Sequence, residues 1–203
     1  YDGNRIYQRF LSQGCAHPRI AVIEGHFHKV IYYMDRDWMN EYGSDRYEQY
    51  LTDVRLNMKG YLQEAFFNMV LSKGAISIHS ASVVYKGKAI LFSAPSQTGK
   101  STQANMWHRL LGTEILDGDA TVCRVIGGKP YVYGLPWAGS SGVFINRRVE
   151  LDAIIYLKQG EVNILQSVTN PIEQFQRLFA ASFSETWDQE MLDRRTKATE
   201  QNP

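Results

Sequence analysis

An α/β fold with a mixed β-sheet flanked by helices is predicted for this chain by three observations. An apolar run, Ala89 to Ser93, leads into a glycine-bearing loop and then an amphipathic segment from Ser101 to Leu111. Runs of strand length, alternating or wholly apolar, stand on both sides of that unit. Helical spacing of apolar residues fills residues 45–74 and returns after Asn170. Periods near 2 and near 3.6 interleave along one chain, the pattern of a sheet covered by helices.

The front of the chain reads as a small antiparallel sheet. Residues 5–11, 20–23 and 28–34 are rich in β-branched and aromatic side chains, with Gly14, Pro18 and Gly25 supplying turns between them. From Asp45 the period lengthens. Tyr47, Tyr50, Leu51, Val54 and Met58, then Leu62, Ala65, Phe66 and Met69, keep helical spacing, with Gly74 placed to end the segment. These features divide the chain into a β section over residues 1–44 and a main domain over residues 45–203.

Residues 75–84 alternate as a strand, and Lys86-Gly87-Lys88 turns them into the run Ala89 to Ser93. After the central helix Gly112 reads as its C′ residue, and residues 114–119 as a strand end carrying Asp117 and Asp119. Residues 121–126 and 130–133 form a hairpin about Gly127-Gly128. Leu151 to Leu157 reads as a buried strand and Val162 to Leu165 as another. Asn170-Pro171-Ile172-Glu173 places an N-cap, an N1 proline and a capping-box acid in order, so a helix starts there. A last helix is expected from about Glu185, with residues 194–203 frayed.

The chemistry is concentrated in Ala94-Pro95-Ser96-Gln97-Thr98-Gly99-Lys100-Ser101, the relaxed form of a phosphate-binding loop, with Ala94 where the pattern's first glycine stands. A loop wrapped at a helix start points several N–H groups inward, and the helix dipole adds positive potential there. Ser96, Gln97, Thr98, Gly99, Lys100, Ser101 and Thr102 are thus the candidate nucleotide-binding residues. Lys100 would reach the outer phosphates, and the Ser101 hydroxyl would ligate Mg²⁺. Gln97 suits such a loop if its backbone needs no positive φ.

Asp117 and Asp119 follow the helix at the place where a P-loop fold keeps its magnesium-side acid. One would hold Mg²⁺, directly or through water, and the other would take the proton of an attacking hydroxyl. The alternative is a pair of turn-forming aspartates. His79, in a strand expected beside the loop-bearing strand, is the third candidate, against the ordinary role of a core histidine. His26 and His28 share an i,i+2 spacing, but no third ligand is placed near them, and they read as surface residues.

Composition narrows the classes. The chain has 203 residues, 44% hydrophobic and 21% charged, with a formal net charge of +1. That balance excludes a broad nucleic-acid or anionic-membrane footprint. Cys15 and Cys123 lie far apart without metal-ligand neighbours and read as reduced structural residues. No transmembrane run and no signal peptide are legible, so the cytoplasm is the expected compartment.

Taken together, Ile78-His79-Ser80-Ala81, the turn at 86–88, the loop at 94–101 and Ile115-Leu116-Asp117-Gly118-Asp119 resemble the HPr kinase/phosphorylase family. That fold is shared with the nucleotide-binding core of PEP carboxykinases. Leu135 to Gly142, Ile145-Asn146 and Val149-Glu150-Leu151 look like a small bacterial branch of the family, and the likeness spans roughly residues 60–180. The resemblance implies a PEP carboxykinase-like P-loop fold and an ATP- and Mg²⁺-dependent kinase acting on a hydroxyl of a peptide, protein or small molecule. It gives Asp119 the role of activating that hydroxyl or binding metal, and His79 that of the family's active-site histidine. Two departures stand out. The family's Asp-Asp pair is Gly118-Asp119 here, and Gly139-Ser140-Ser141-Gly142 lacks the arginine that accompanies the family's glycines before Ile-Asn. The second departure favours an alternative, a nucleotide-binding sensor or partner module without catalysis. PEP carboxykinase activity itself is not expected of so short a chain. The expected partners are a nucleotide and a hydroxyl-bearing acceptor, with ATP, GTP or pyrophosphate open as donor and homo-oligomerisation open as well.

Overall fold

The structure is a computed structural model, which describes residues 5–9, 19–24, 29–33, 59–60, 62–183 and 189–202. The chain divides into two compact units, Tyr1–Ser72 and Lys73–Pro203. The expected boundary at residues 44 and 45, the helical segment at 45–58, Cys15, His26 and His28 lie outside the described residues.

In the first unit, β1 (Arg5–Arg9), β2 (Arg19–Glu24) and β3 (Lys29–Tyr33) form an antiparallel sheet in that order. Its register pairs Ile6 with Val22 and Val22 with Ile31. Residues 62–71 form a helix, α1.

The second unit is built on a mixed six-stranded sheet. Its strands are β4 (Ile76–Tyr85), β5 (Lys88–Ser93), β6 (Glu114–Asp117), β7 (Ala120–Ile126), β8 (Lys129–Gly134) and β9 (Arg148–Tyr156). The order is β5-β9-β8-β7-β4-β6, and β5 also pairs with β4. The long strand β4 makes this possible by serving different partners along its length. Ile76 to His79 pair with β7, whereas Ser80 to Tyr85 pair with β5. Only β5 and β9 run parallel; the other pairings are antiparallel.

Local sequence explains most elements. Gly127 and Gly128 have φ of 59° and 77°, the left-handed pair that a two-residue hairpin needs to match strand twist. The helix α2 (Lys100–Leu111) ends at Gly112, whose N–H bonds the His108 carbonyl with φ at 66°. It seats on the sheet through Ala104 and Trp107, against Ala81, Val83, Ile90 and Phe92. Trp107 meets Phe92 and Tyr85 edge-on, with centroids 5.4 and 5.6 Å away. The outer turn is wet, with Leu110 and Leu111 exposed, so the amphipathic stripe is narrower than its composition suggests. The helix α3 (Pro171–Ala181) starts as expected: Asn170 Oδ1 accepts from the N–H of Ile172 and of Glu173. Glu173 turns to Arg177 at 2.6 Å.

Two expectations are corrected. No strand forms at Val162 to Leu165; Val162, Ile164 and Leu165 are exposed, and the run pairs with no strand of the sheet. A short run interrupted by Asn163 gains little from an extended form when its apolar side chains find no surface to cover. The tail, in turn, is helical rather than frayed. The helix α4 (Gln189–Gln201) is tied down by Arg195, which donates to the carbonyls of Phe179 and Ser182, both at 2.7 Å, and to Ser182 Oγ. Its guanidinium also lies 4.1 Å over the Phe179 ring. A cation on the last carbonyls of α3 satisfies orphaned acceptors and the helix dipole together. Asn202 Nδ2 then bonds the Gly74 carbonyl at 3.1 Å, closing the end of the chain onto the base of β4. Among the described residues, no helix is long and apolar enough to cross a membrane.

Candidate functional site

Two corners of the second unit meet where the end of β5 lies beside His79 and Ser80 in the middle of β4. In the first, β5 ends at Ser93, residues 94–99 form the loop, and α2 begins at Lys100. Gly99, the N-cap, has φ of 117° and ψ of 18° and supplies no side-chain acceptor, and no acid stands in the first turn of the helix. The positive end of α2 is therefore left open to an external anion. Gln97 has φ of 64°. The condition on which Gln97 suits such a loop, a backbone without positive φ, is thus not met: the loop holds a side-chain-bearing residue where glycine is conformationally cheaper.

Lys100 is buried, and its Nζ donates to the carbonyls of Ala94 at 3.1 Å and Pro95 at 3.4 Å. Burial lowers its pKa, and attraction to Asp119 opposes that shift. The ammonium thus sits within electrostatic reach of the second corner. Ser96, Gln97, Ser101 and Thr102 are exposed, while Thr98 and Gly99 are half-buried.

The second corner joins β6 to β7 and carries both aspartates, which differ in burial and in partners. Asp117 is fully buried. Its Oδ1 accepts from the N–H of Asp119 and of Ala120, and its Oδ2 accepts from the N–H of Leu135 at 2.7 Å. Burial pushes its pKa up to about 6 against the pull of those three donors. A carboxylate so enclosed shapes the turn. Asp119 instead points outward, half-exposed, with Oδ1 3.2 Å from His79 Nε2. The backbone fixes this pairing, because the Asp119 carbonyl accepts from the Ser80 N–H, and Ser93 Oγ donates to the His79 carbonyl. The structure therefore brings His79, Asp119 and Lys100 to one place and turns Asp117 into the fold.

Sequence reasoning missed the wall behind Asp119. Gly139 has φ of 59°, and a Cβ built there would stand 2.8 Å from the Asp119 carboxylate. Gly118 is as constrained, since its Cβ would meet Ser141 Oγ at 1.9 Å. Gly139 thus lies directly against the acid, with Ala138 and Ser141 against Gly118, and the clustered glycines at 139 and 142 were the available signal. Missed as well was a cleft of about 350 Å³ beside the loop, with residues 95–98 on one side and Leu157, Lys158 and Gln159 on the other. It flanks the loop and does not include the His79–Asp119 pair.

Among the described residues, no group of three His, Cys, Asp or Glu side chains is placed to hold a metal. Ser101 and Asp119 offer a hydroxyl and a carboxylate, an oxygen set that suits a hard cation whose shell is completed by phosphate oxygens and water. Cys123 is buried and unpaired, its thiol pushed up to about 12 by burial, in keeping with a structural role.

No protein-family model matches the chain, and no curated protein matches it. Among solved structures, it is similar to the Hpr(Ser) kinase/phosphatase from Coxiella burnetii at 15% identity and a TM-score of 0.34. That match covers 47% of this chain and 66% of the other, so the likeness is slight and partial.

Proposed function

We propose that this chain binds a nucleoside triphosphate with Mg²⁺ at residues 96–102 and transfers its terminal phosphoryl group to a hydroxyl. The observation that carries this reading is the convergence of Lys100, at the open start of α2, with the His79–Asp119 pair at 3.2 Å. A phosphate cradle without an acid beside it can only bind; one with a half-exposed carboxylate has a place for the acceptor's proton.

The residues divide the work as follows. The amides of residues 97–101 and the Lys100 ammonium hold the phosphates, Lys100 exchanging its two carbonyl partners for phosphate oxygens. Mg²⁺, held through Ser101 and the phosphate oxygens, would supply charge neutralisation. Asp119 accepts the proton of the acceptor hydroxyl as its oxygen bonds to the terminal phosphorus. The bond from that phosphorus to the bridging oxygen breaks, and the nucleoside diphosphate leaves with the electron pair. His79, donating from Nε2, orients the Asp119 carboxylate. Asp119→Asn tests the assignment: nucleotide binding should persist while transfer falls at least 100-fold, a typical weight for a positioned base. Undiminished transfer would remove Asp119 from the chemistry.

A second reading, a nucleotide-binding module without catalysis, is favoured by the two arginines that follow the glycine loop. Arg147 pairs with Glu114 at 2.6 Å, and Arg148 lies 4.8 Å over the Tyr131 ring. Both have structural partners, which leaves the transition-state charge to Lys100 and the metal. A screen of hydroxyl acceptors separates the readings, because a module binds nucleotide and transfers nothing.

A further inference from the structure

The phosphoryl chemistry leaves the cleft beside the loop unused. Its position follows from topology. Strands β5 and β9 are parallel neighbours, and the Leu157 N–H bonds the Ser93 carbonyl at 2.8 Å, one residue past the end of β9. The two chains therefore leave the sheet side by side, one into residues 94–99 and the other into residues 157–159. The crevice beyond the carboxyl ends of adjacent parallel strands is where open α/β sheets receive ligands. Its walls have a definite chemistry. Leu157 is half-buried and packs against the core under α2, giving an apolar patch, while Lys158 and Gln159 are exposed and polar. No acid lines it.

We propose that this cleft takes the nucleoside of the phosphoryl donor, with Lys158 as the residue that recognises it, so that the donor is a nucleoside triphosphate and not inorganic pyrophosphate. The proposal rests on the reading that residues 96–102 hold the phosphates. Phosphates held at the helix start leave the rest of the donor to extend over the outer flank of the loop, where the cleft lies. A volume of about 350 Å³ falls within the range of small-ligand pockets, and an inorganic donor would leave it unused. Leu157 offers an apolar surface to the base or ribose, and Lys158, a pure donor, meets their oxygen and nitrogen acceptors.

The test compares Mg-ATP and Mg-GTP with Mg-tripolyphosphate by calorimetry at 0.3 M NaCl, for wild type, Lys158→Met and Lys100→Ala. Tripolyphosphate carries at least as much charge as either nucleotide, so tighter nucleotide binding reports the nucleoside. At least one nucleotide should bind tenfold or more tightly than tripolyphosphate. Lys158→Met, which keeps the aliphatic stem, should reduce most of that advantage and alter tripolyphosphate binding by no more than about twofold, because salt screens the lost charge. Equal wild-type affinities for nucleotides and tripolyphosphate would overturn the proposal while leaving the phosphate site intact. So would equal losses in Lys158→Met. Binding of none of the three, or binding unchanged in Lys100→Ala, would remove the phosphate site and the proposal with it.

Discussion

Gly139→Ala is the substitution whose consequence can be worked most directly from the geometry. A Cβ at this position would lie 2.8 Å from the Cβ, Cγ and Oδ2 of Asp119, against an ordinary limit of about 3.4 Å. The carboxylate must therefore yield by roughly 0.6 Å, the difference between those figures, and it is already at the outer edge of hydrogen bonding to His79 at 3.2 Å. Gly142 provides the control. It has φ of 62° beside 59° for Gly139, stands in the same loop, and has nothing within 4 Å of its Cβ position. Gly142→Ala should thus suffer the left-handed strain alone, about 1 kcal/mol, or some 2–4 °C in Tm. Gly139→Ala should show at least that loss. It should also lose about 100-fold in turnover, the scale expected when a reacting group is displaced by a fraction of an ångström to an ångström. Thermal unfolding and nucleotide turnover, with water as acceptor if no better one is found, read the two effects separately. Equal turnover in the two variants, whether retained or lost, would refute the claim that the loop positions Asp119.

Other consequences follow from single residues. Gln97→Gly relieves a φ of 64° but adds freedom to the unfolded chain, so thermal unfolding should show a net stabilisation of about 0.5–1 kcal/mol; a loss would mean that the Gln97 side chain is itself a structural partner. Asp117 has a folded-state pKa of about 6, above the ordinary 3.8, so the native state holds its proton more tightly. Its contribution to stability is full below about pH 4 and is lost as the pH rises through 6, a change on the order of 3 kcal/mol. Urea titrations between pH 4 and 7 should show that slope in wild type and not in Asp117→Asn; parallel curves would contradict it. Arg195→Met lifts the guanidinium off the Phe179 ring and orphans the Ser182 carbonyl, while Ser182 Oγ still serves the Phe179 carbonyl, so it should cost about 1–3 kcal/mol and raise amide exchange through residues 194–202.

The legible parts of this chain are those written in local chemistry. Gly127-Gly128 announces a hairpin because only left-handed φ values match the strand twist, and Asn170-Pro171 announces a helix start because each residue satisfies or removes an orphaned N–H. The same holds for the strand, loop and helix about Gly99-Lys100-Ser101 and for His79, whose strand lies beside that loop through the tight turn at Gly87. Features that depend on distant pairings were not legible. Residues 194–201 look like a solvated tail until Arg195 finds the end of α3, and Val162 to Leu165 looks like a strand although its apolar side chains stay exposed and pair with no strand. Asp117 and Asp119 are chemically alike in sequence, and only the N–H of Leu135, eighteen residues away, tells the buried one from the exposed one. Leu157 to Gln159 become a wall of the cleft only because β9 pairs in parallel with β5 across more than sixty residues.

The central claim is that Lys100 and the start of α2 form a site for the phosphates of a nucleotide. Its most direct measurement is the thermal stability of wild type and Lys100→Ala with and without Mg-ATP. At 100 times its Kd, the nucleotide should stabilise wild type by about 2.7 kcal/mol, seen as a raised Tm, and Lys100→Ala should unfold at the same temperature with nucleotide as without. A wild-type Tm that Mg-ATP leaves unmoved, or a shift that survives in Lys100→Ala, would contradict the account.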